Sequence, residues 1–264
     1  MRARILLAVF LLIALERPSP AQTYKLFDAW QLDASIPLQF GTNSLLVPTN
    51  AQSDVFVSPN MKLSALGALN ATTTYSIYAT GGPDAFNRIR AADDGIAAVG
   101  GSLQTAFGNL GIGAIYEHNL TYDGLFRTLV FQANDFSAFA GYKYISPFGT
   151  SIAPSVMVTY RDADLASADR ALFTIKAALS QGLTKDLTFF LTPRLRYYYF
   201  TAGATAGRRD TRPSVVSGLA YQLSSDVGIT GSVEYDQRWS STAGRNFTNT
   251  VFSLSLDFSH QYRQ

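Results

Sequence analysis

Apolar and polar residues alternate along most of this chain. The cleanest run lies near the C-terminus. Within Thr250–Phe258, Phe252, Leu254, Leu256 and Phe258 share one parity, and Ser253, Ser255 and Asp257 share the other. Successive side chains of a strand point to opposite faces, so this segment has one oily side and one polar, charged side. The same pattern returns often enough to predict about twelve strands.

The first predicted strand covers about Trp30 to Phe40, the second Val55 to Ala65, the third Ala71 to Thr80. The fourth and fifth, near 95–106 and 112–120, are rich in Gly and Ala, and their parity is ambiguous. In the sixth, near 129–144, parity changes between Asn134 and Ser137, which predicts a β-bulge there. Strand seven sets Ile152, Val156, Val158 and Tyr160 against Ser151, Ser155, Thr159 and Arg161. Strand eight, around Phe173–Ser180, is Ala-rich and also readable as helix. Strand nine sets Leu187, Phe189, Leu191, Leu195, Tyr197 and Tyr199 against Thr188, Thr192, Arg194, Arg196 and Tyr198. Strands ten and eleven lie near 212–223 and 227–239, and the C-terminal run is the twelfth.

Two regularities go beyond what a half-buried soluble sheet needs. Charges inside the clearer strands (Asp33, Lys62, Arg161, Lys176, Arg194, Arg196, Glu234, Asp236, Asp257) all fall on the polar parity. Connections also alternate in length. Short turns are predicted at Leu66–Asn70, Gly108–Gly111, Ser146–Gly149, Thr184–Asp186 and Ser224–Asp226. Longer loops are predicted at 41–53, 82–94, 121–127, 162–169, 202–211 and 240–246. Short turns at one end and long loops at the other are the layout of a transmembrane antiparallel up-and-down β-barrel, an all-β fold. Lipid offers backbone groups no partner, so such a sheet must close on itself. Aromatic residues cluster near strand ends as two girdles would: Trp30, Tyr142, Tyr144, Tyr221 and Phe258 toward the short turns, Tyr160, Tyr197, Tyr199, Tyr235 and Trp239 toward the loops.

Composition agrees. The 264 residues are 15% charged and 13% aromatic, contain no Cys, and carry a net charge of +2. That balance gives no argument for nucleic acid, and without Cys there is no disulfide, thiolate metal site or lipid-anchored cysteine. Arg2 and Arg4 precede the apolar run Ile5–Leu15, and Ser19-Pro20-Ala21 has the small residues of a cleavage site. A helical span needs about 20 apolar residues, so residues 1–21 are expected to be a secretory signal and 22–264 a single barrel.

The signal, the alternation, the turn layout and the terminal Ser253-Leu254-Ser255-Leu256-Asp257-Phe258 make the chain resemble the bacterial outer-membrane β-barrel proteins, the broad porin-like group. No motif points to a narrower subfamily. The resemblance implies a place in the Gram-negative outer membrane, both termini in the periplasm, lipid as solvent, and contact of the last strand with the barrel-assembly machinery.

Catalytic and metal signals are sparse. His118, in Tyr116-Glu117-His118-Asn119, lies near the loop-side rim with no His-x-Ser spacing, and His260 lies past the predicted last strand. Asp93-Asp94 and Asp162/Asp164 read as loop-edge acids, and no glycine run has phosphate-binding spacing. No catalytic residue, metal or cofactor is expected. The expected function is passive transport of small polar or anionic solutes. The pore-lining set is Asp33, Lys62, Glu117, Arg161, Lys176, Arg194, Arg196, Arg212, Glu234, Asp236, Arg238 and Asp257. Basic groups exceed acidic ones in that reading, which predicts a weak anion preference. Two alternatives remain: a structural barrel plugged by its own side chains, with Glu234 and Asp236 pairing part of the arginine cluster, and an outer-membrane hydrolase.

Overall fold

The computed structural model describes residues 26–263; the predicted signal segment 1–21 lies outside them. The chain forms a closed antiparallel barrel of twelve strands, with 71% of residues in strands. Fourteen strand segments build it: β1 (Ala29–Gly41), β2 (Asp54–Val57), β3 (Asn60–Ala68), β4 (Thr73–Phe86), β5 (Asp94–Phe107), β6 (Leu110–Asp123), β7 (Thr128–Tyr142), β8 (Tyr144–Ile145), β9 (Ser151–Ala163), β10 (Arg170–Gly182), β11 (Leu187–Phe200), β12 (Arg209–Gln222), β13 (Val227–Ser240) and β14 (Phe247–Arg263). Neighbouring staves pair antiparallel around the ring, with β7 and the short β8 both against β9, and β14 returns to β1, Ala29 opposite Arg263 and Gly41 opposite Val251. That last pairing leaves no edge, as lipid requires.

The predicted second strand is one stave in two pieces. β2 and β3 both lie between β1 and β4, broken at Ser58-Pro59. Pro59 has no N–H to give the ladder, and β4 approaches closely here. A Cβ on Gly82 would stand 1.8 Å from the Pro59 carbonyl oxygen, so only glycine fits. Register is kept across the break: Ser35 faces Asn60 and Leu38 faces Val57.

The predicted bulge moves. No register shift occurs between Asn134 and Ser137; the irregularity lies opposite Thr121/Tyr122, where Phe131 and Leu129 are the partners and Val130 is the extra residue. Asn134 breaks the apparent parity because it is a polar residue on the outer face. It is bonded there by the Tyr116 hydroxyl at 2.9 Å and paired with His118 Nδ1 at 3.1 Å.

Other elements outgrow their predicted bounds. β4 continues to Phe86, into the expected 82–94 loop, β10 is the expected strand and not the helix its alanines also allowed, extended to Arg170–Gly182, and β14 runs on to Arg263. Several loop-side connections are closed by aspartates. Asp54 accepts from the amides of Arg88 and Ile89, Asp93 from Phe86, and Asp169 from Ala163. Such carboxylate–amide bonds make loop ends rigid where propensity alone would leave them loose.

There is no packed apolar core of the soluble kind. Among the described residues no large side chain is fully buried, and Leu38, Ile175, Leu195, Leu254 and Leu256 stand exposed on the outer face. A soluble monomer of this size would not show such a continuous apolar surface. On β11, about ten residues from Leu187 to Tyr197 rise ~33 Å along the strand, and a tilt of ~40° projects this to the ~25 Å apolar band of a membrane barrel.

Candidate functional site

The site is the lumen, and the register decides what faces it. The twelve predicted pore-lining residues all stand on the inward parity, opposite the lipid-facing apolar row. Asp33 and Lys62 are cross-strand neighbours, and the Lys62 ammonium lies 4.1 Å from the centre of the Tyr78 ring. The Tyr78 hydroxyl donates to Glu117 at 2.9 Å. Asp257 accepts from Thr230 at 2.7 Å and from Ser255 at 2.6 Å. Arg238 stacks 4.5 Å from the Phe247 ring and donates to the Arg245 carbonyl at 2.7 Å, so it is tied to the loop side. The ten predicted girdle aromatics are all exposed. Tyr116, Phe136 and Tyr160 are register neighbours across β6, β7 and β9, which sharpens the loop-side ring.

Ion pairs join neighbouring or next-neighbouring staves and lie along the wall. Arg161 holds Asp135 with Nε at 2.8 Å and Nη2 at 2.6 Å. Arg194 reaches across β12 to Glu234 at 2.9 Å, touching Ser214 at 3.2 Å on the way. Arg212 Nε donates to both Asp236 oxygens, at 2.9 and 2.7 Å, and Arg196 shares that carboxylate at 3.7 Å. Inward aromatics also lie flat on the wall. Phe190 covers Gly218, where a Cβ would meet its ring at 2.6 Å. The short-turn half of the lumen holds a cavity of about 480 Å³ whose lining includes Asp33, Ser35, Asn60, Thr230 and Asp257. At the loop-side mouth, Asn43 pins the first loop to β14, its backbone N–H donating to Asn249 Oδ1 at 2.8 Å and its Nδ2 to the Thr248 carbonyl at 3.1 Å.

Sequence reasoning missed several inward charges. Asp135 was lost with the misplaced bulge, Asp54 and Arg170 fell at underestimated strand boundaries, and Asp84, Asp94 and Asp210 lay in stretches taken as loop. With these included, the expected excess of basic over acidic groups in the lumen disappears. What replaces it is a separation. Asp84, Asp94 and Asp123 form one register row on β4, β5 and β6, and Glu117 faces Asp135. Across the barrel Arg161 faces Arg170, Lys176 faces Arg194, and Arg196 faces Arg212.

The outer face carries a polar cluster. His118, Asn134 and Asp162 are register neighbours one step above the Tyr116–Phe136–Tyr160 ring. The hydroxyl bonded to Asn134 is that of Tyr116, and the face positions two residues either side of His118 are Tyr116 and Leu120. A base without a serine, threonine or cysteine beside it makes no acyl-transfer site. Among the described residues no group of His, Cys, Asp and Glu is arranged to hold a metal.

This closed, lipid-faced barrel has the fold of the bacterial outer-membrane β-barrels, porin-like in form and without a narrower subfamily. Residues 167–260 match the family described as putative beta-barrel porin 2. An outer membrane channel from Pseudomonas putida F1 superposes with a TM-score of 0.58 at 12% identity, covering 94% of this chain and 100% of that one. The beta domain of the Bordetella autotransporter BrkA gives a TM-score of 0.51 at 11% identity, covering 88% of this chain and 99% of that one. No curated protein matches the chain significantly.

Proposed function

We propose that this protein is a passive channel of the Gram-negative outer membrane for small polar and anionic solutes, exported by its N-terminal signal and not an enzyme. The observation that carries the reading is the direction of the lumen interactions: the ion pairs and the aromatic–glycine contacts run along the wall, so long side chains are held aside rather than across the path. A plugged structural barrel calls for the opposite, pairs linking opposed staves. The expected topology has both termini in the periplasm, short turns beside them and long loops outside, with the last strand read by the assembly machinery. The family match over the C-terminal part and the similar solved channel support this reading.

Conductance of the purified protein in a planar bilayer tests it. Stepwise ohmic channels are the expected result. A folded, heat-modifiable protein that inserts and never conducts would sink the channel and favour the plugged barrel.

A further inference from the structure

Like charges placed directly opposite one another across a sheet cost stability. Three such basic pairs stand side by side on β9 to β12, and their neutralisation is unequal. Arg194, Arg212 and Arg161 are held by the carboxylates of Glu234, Asp236 and Asp135, and Lys176 stands exposed with no ion pair among the described residues. Arg196 has only a 3.7 Å share of Asp236, a carboxylate already taken by Arg212, and its Nε is buried with no hydrogen-bond partner. Arg170 forms no ion pair among the described residues and rests over aromatic rings instead, 5.5 Å from the centre of Tyr198 and 5.9 Å from that of Phe200.

These groups converge on one inward side chain. Tyr198 follows Arg196 on the same face of β11, is partly open to the lumen, and has the Arg170 guanidinium 5.5 Å from its ring centre. Its loop side is closed by Arg208, which stacks 3.5 Å from the Phe200 ring centre and pairs with Asp210 at 3.3 Å. Guanidinium groups present planar forks of donors that match oxyanions, and a phenol adds a further hydrogen bond. A buried, unused guanidinium donor is costly unless something fills it.

We propose that Arg170, Arg196 and Tyr198 form an oxyanion-binding site on the lumen wall, which takes the carboxylate or phosphate group of a small solute. This rests on the channel reading only in requiring that solute can reach the lumen. The repulsion between facing arginines is what the bound anion relieves, so occupancy and local stability rise together. The site also accounts for the unequal neutralisation within the pairs: Arg161, Arg194 and Arg212 are held by carboxylates and shape the wall, whereas Arg170 and Arg196 are left for the ligand.

Calorimetric titration of the detergent-solubilised full-length protein tests the site without relying on conduction, with inorganic phosphate and malonate as the two probes. Saturable binding of at least one is expected, and comparing the probes distinguishes phosphate from carboxylate recognition. Arg170→Gln and Arg196→Gln should each weaken binding about tenfold, and Tyr198→Phe by less, as loss of one charged fork or one hydroxyl implies. Lys176→Gln removes an equal charge elsewhere on the wall and should leave the affinity within about twofold. Equal losses in all four variants would overturn the site in favour of a diffuse field, as would no binding of either probe. Planar-bilayer records separate the two proposals. Binding in a protein that never conducts would sink the channel and leave the site, whereas conduction with neither binding nor anion-dependent block would sink the site and leave the channel.

Discussion

The wall built from β4 to β7 and the wall built from β9 to β12 handle charge in opposite ways. The first places acid opposite acid: Asp84 beside Asp94, Asp94 beside Asp123, Glu117 beside Asp135. The second places base opposite base, then borrows carboxylates from next door, with Asp135 serving Arg161 and Asp236 serving Arg196 and Arg212. Neither wall is neutral on its own, although the protein as a whole carries only +2. The difference teaches that net charge is a poor guide to a lumen. In the proposed channel an ion would meet a field directed across the path, set by which stave each charge occupies.

The largest expected effect concerns which face of the basic wall meets lipid. Leu191→Arg adds a charge to its outer face near mid-height and should cost about 2–4 kcal/mol of folding free energy in bilayers, against much less for the inward Thr192→Arg. Urea-unfolding midpoints in lipid vesicles measure both, and equal costs would mean that the facing is wrong.

Next comes the shared carboxylate. Asp236 is buried, and removing it leaves Arg196 and Arg212 facing each other uncompensated. Asp236→Ala should destabilise by roughly 2–3 kcal/mol, toward the low end of a broken buried pair because the lumen admits water. Adding Arg196→Gln should recover part of that loss in a double-mutant cycle. Simple additivity would break the claim that the two guanidiniums repel.

Smaller effects of opposite sign should follow where like charges are not neutralised. Arg170→Gln on one wall and Asp84→Asn on the other each remove a repulsive partner and should raise stability by about 0.2–1 kcal/mol. The first should also shift the reversal potential in a salt gradient toward cations, and the second toward anions. Shifts in the same direction would remove the contrast between the walls.

The smallest effect lies outside both walls, in the turn before β13. Asp226 accepts from or pairs with His260 Nδ1 at 2.9 Å, and that hydrogen bond holds the carboxyl below its ordinary value of 3.8. A lowered carboxyl favours the folded state above the ordinary value, and the gain is lost as pH falls through the lowered one. The wild-type protein should therefore melt slightly above Asp226→Asn at pH 7, and the two should converge in strong acid. A gap that widens on acidification would contradict the pairing.

The barrel was legible because lipid forces a strict two-residue period wherever a strand crosses it. Strand nine shows this best, and its apolar parity is the outer face of β11. Legibility failed where that constraint lapses. Asn134 lies just above the aromatic ring, where polar side chains are tolerated outside, so it imitated a change of face. Arg170 and Asp84 lie on strand extensions that rise beyond the lipid, where turn-forming and strand-forming residues mix. The second strand was read whole because proline alters the ladder at Pro59 without changing the alternation on either side. The wall contrast was hidden for a further reason: it depends on which strands are neighbours, and pairs such as Arg212 with Asp236 are meaningful only once register is known.

The pairing of β14 with β1 has a consequence for the history of each molecule. The Ser259 hydroxyl donates to Asp33 at 2.6 Å across a separation of 226 residues, close to the full length of the chain. No partial barrel can borrow stability from that seam, because its two halves are made at opposite ends of synthesis. Until the last strand arrives, both margins of the sheet present unpaired backbone and a broad oily surface, which is how strands recruit the wrong partner. Contacts of such range form slowly. The seam thus acts as a latch that only a finished chain can close, and a molecule lacking its final dozen residues should be treated by the cell as debris rather than as a slightly weaker barrel.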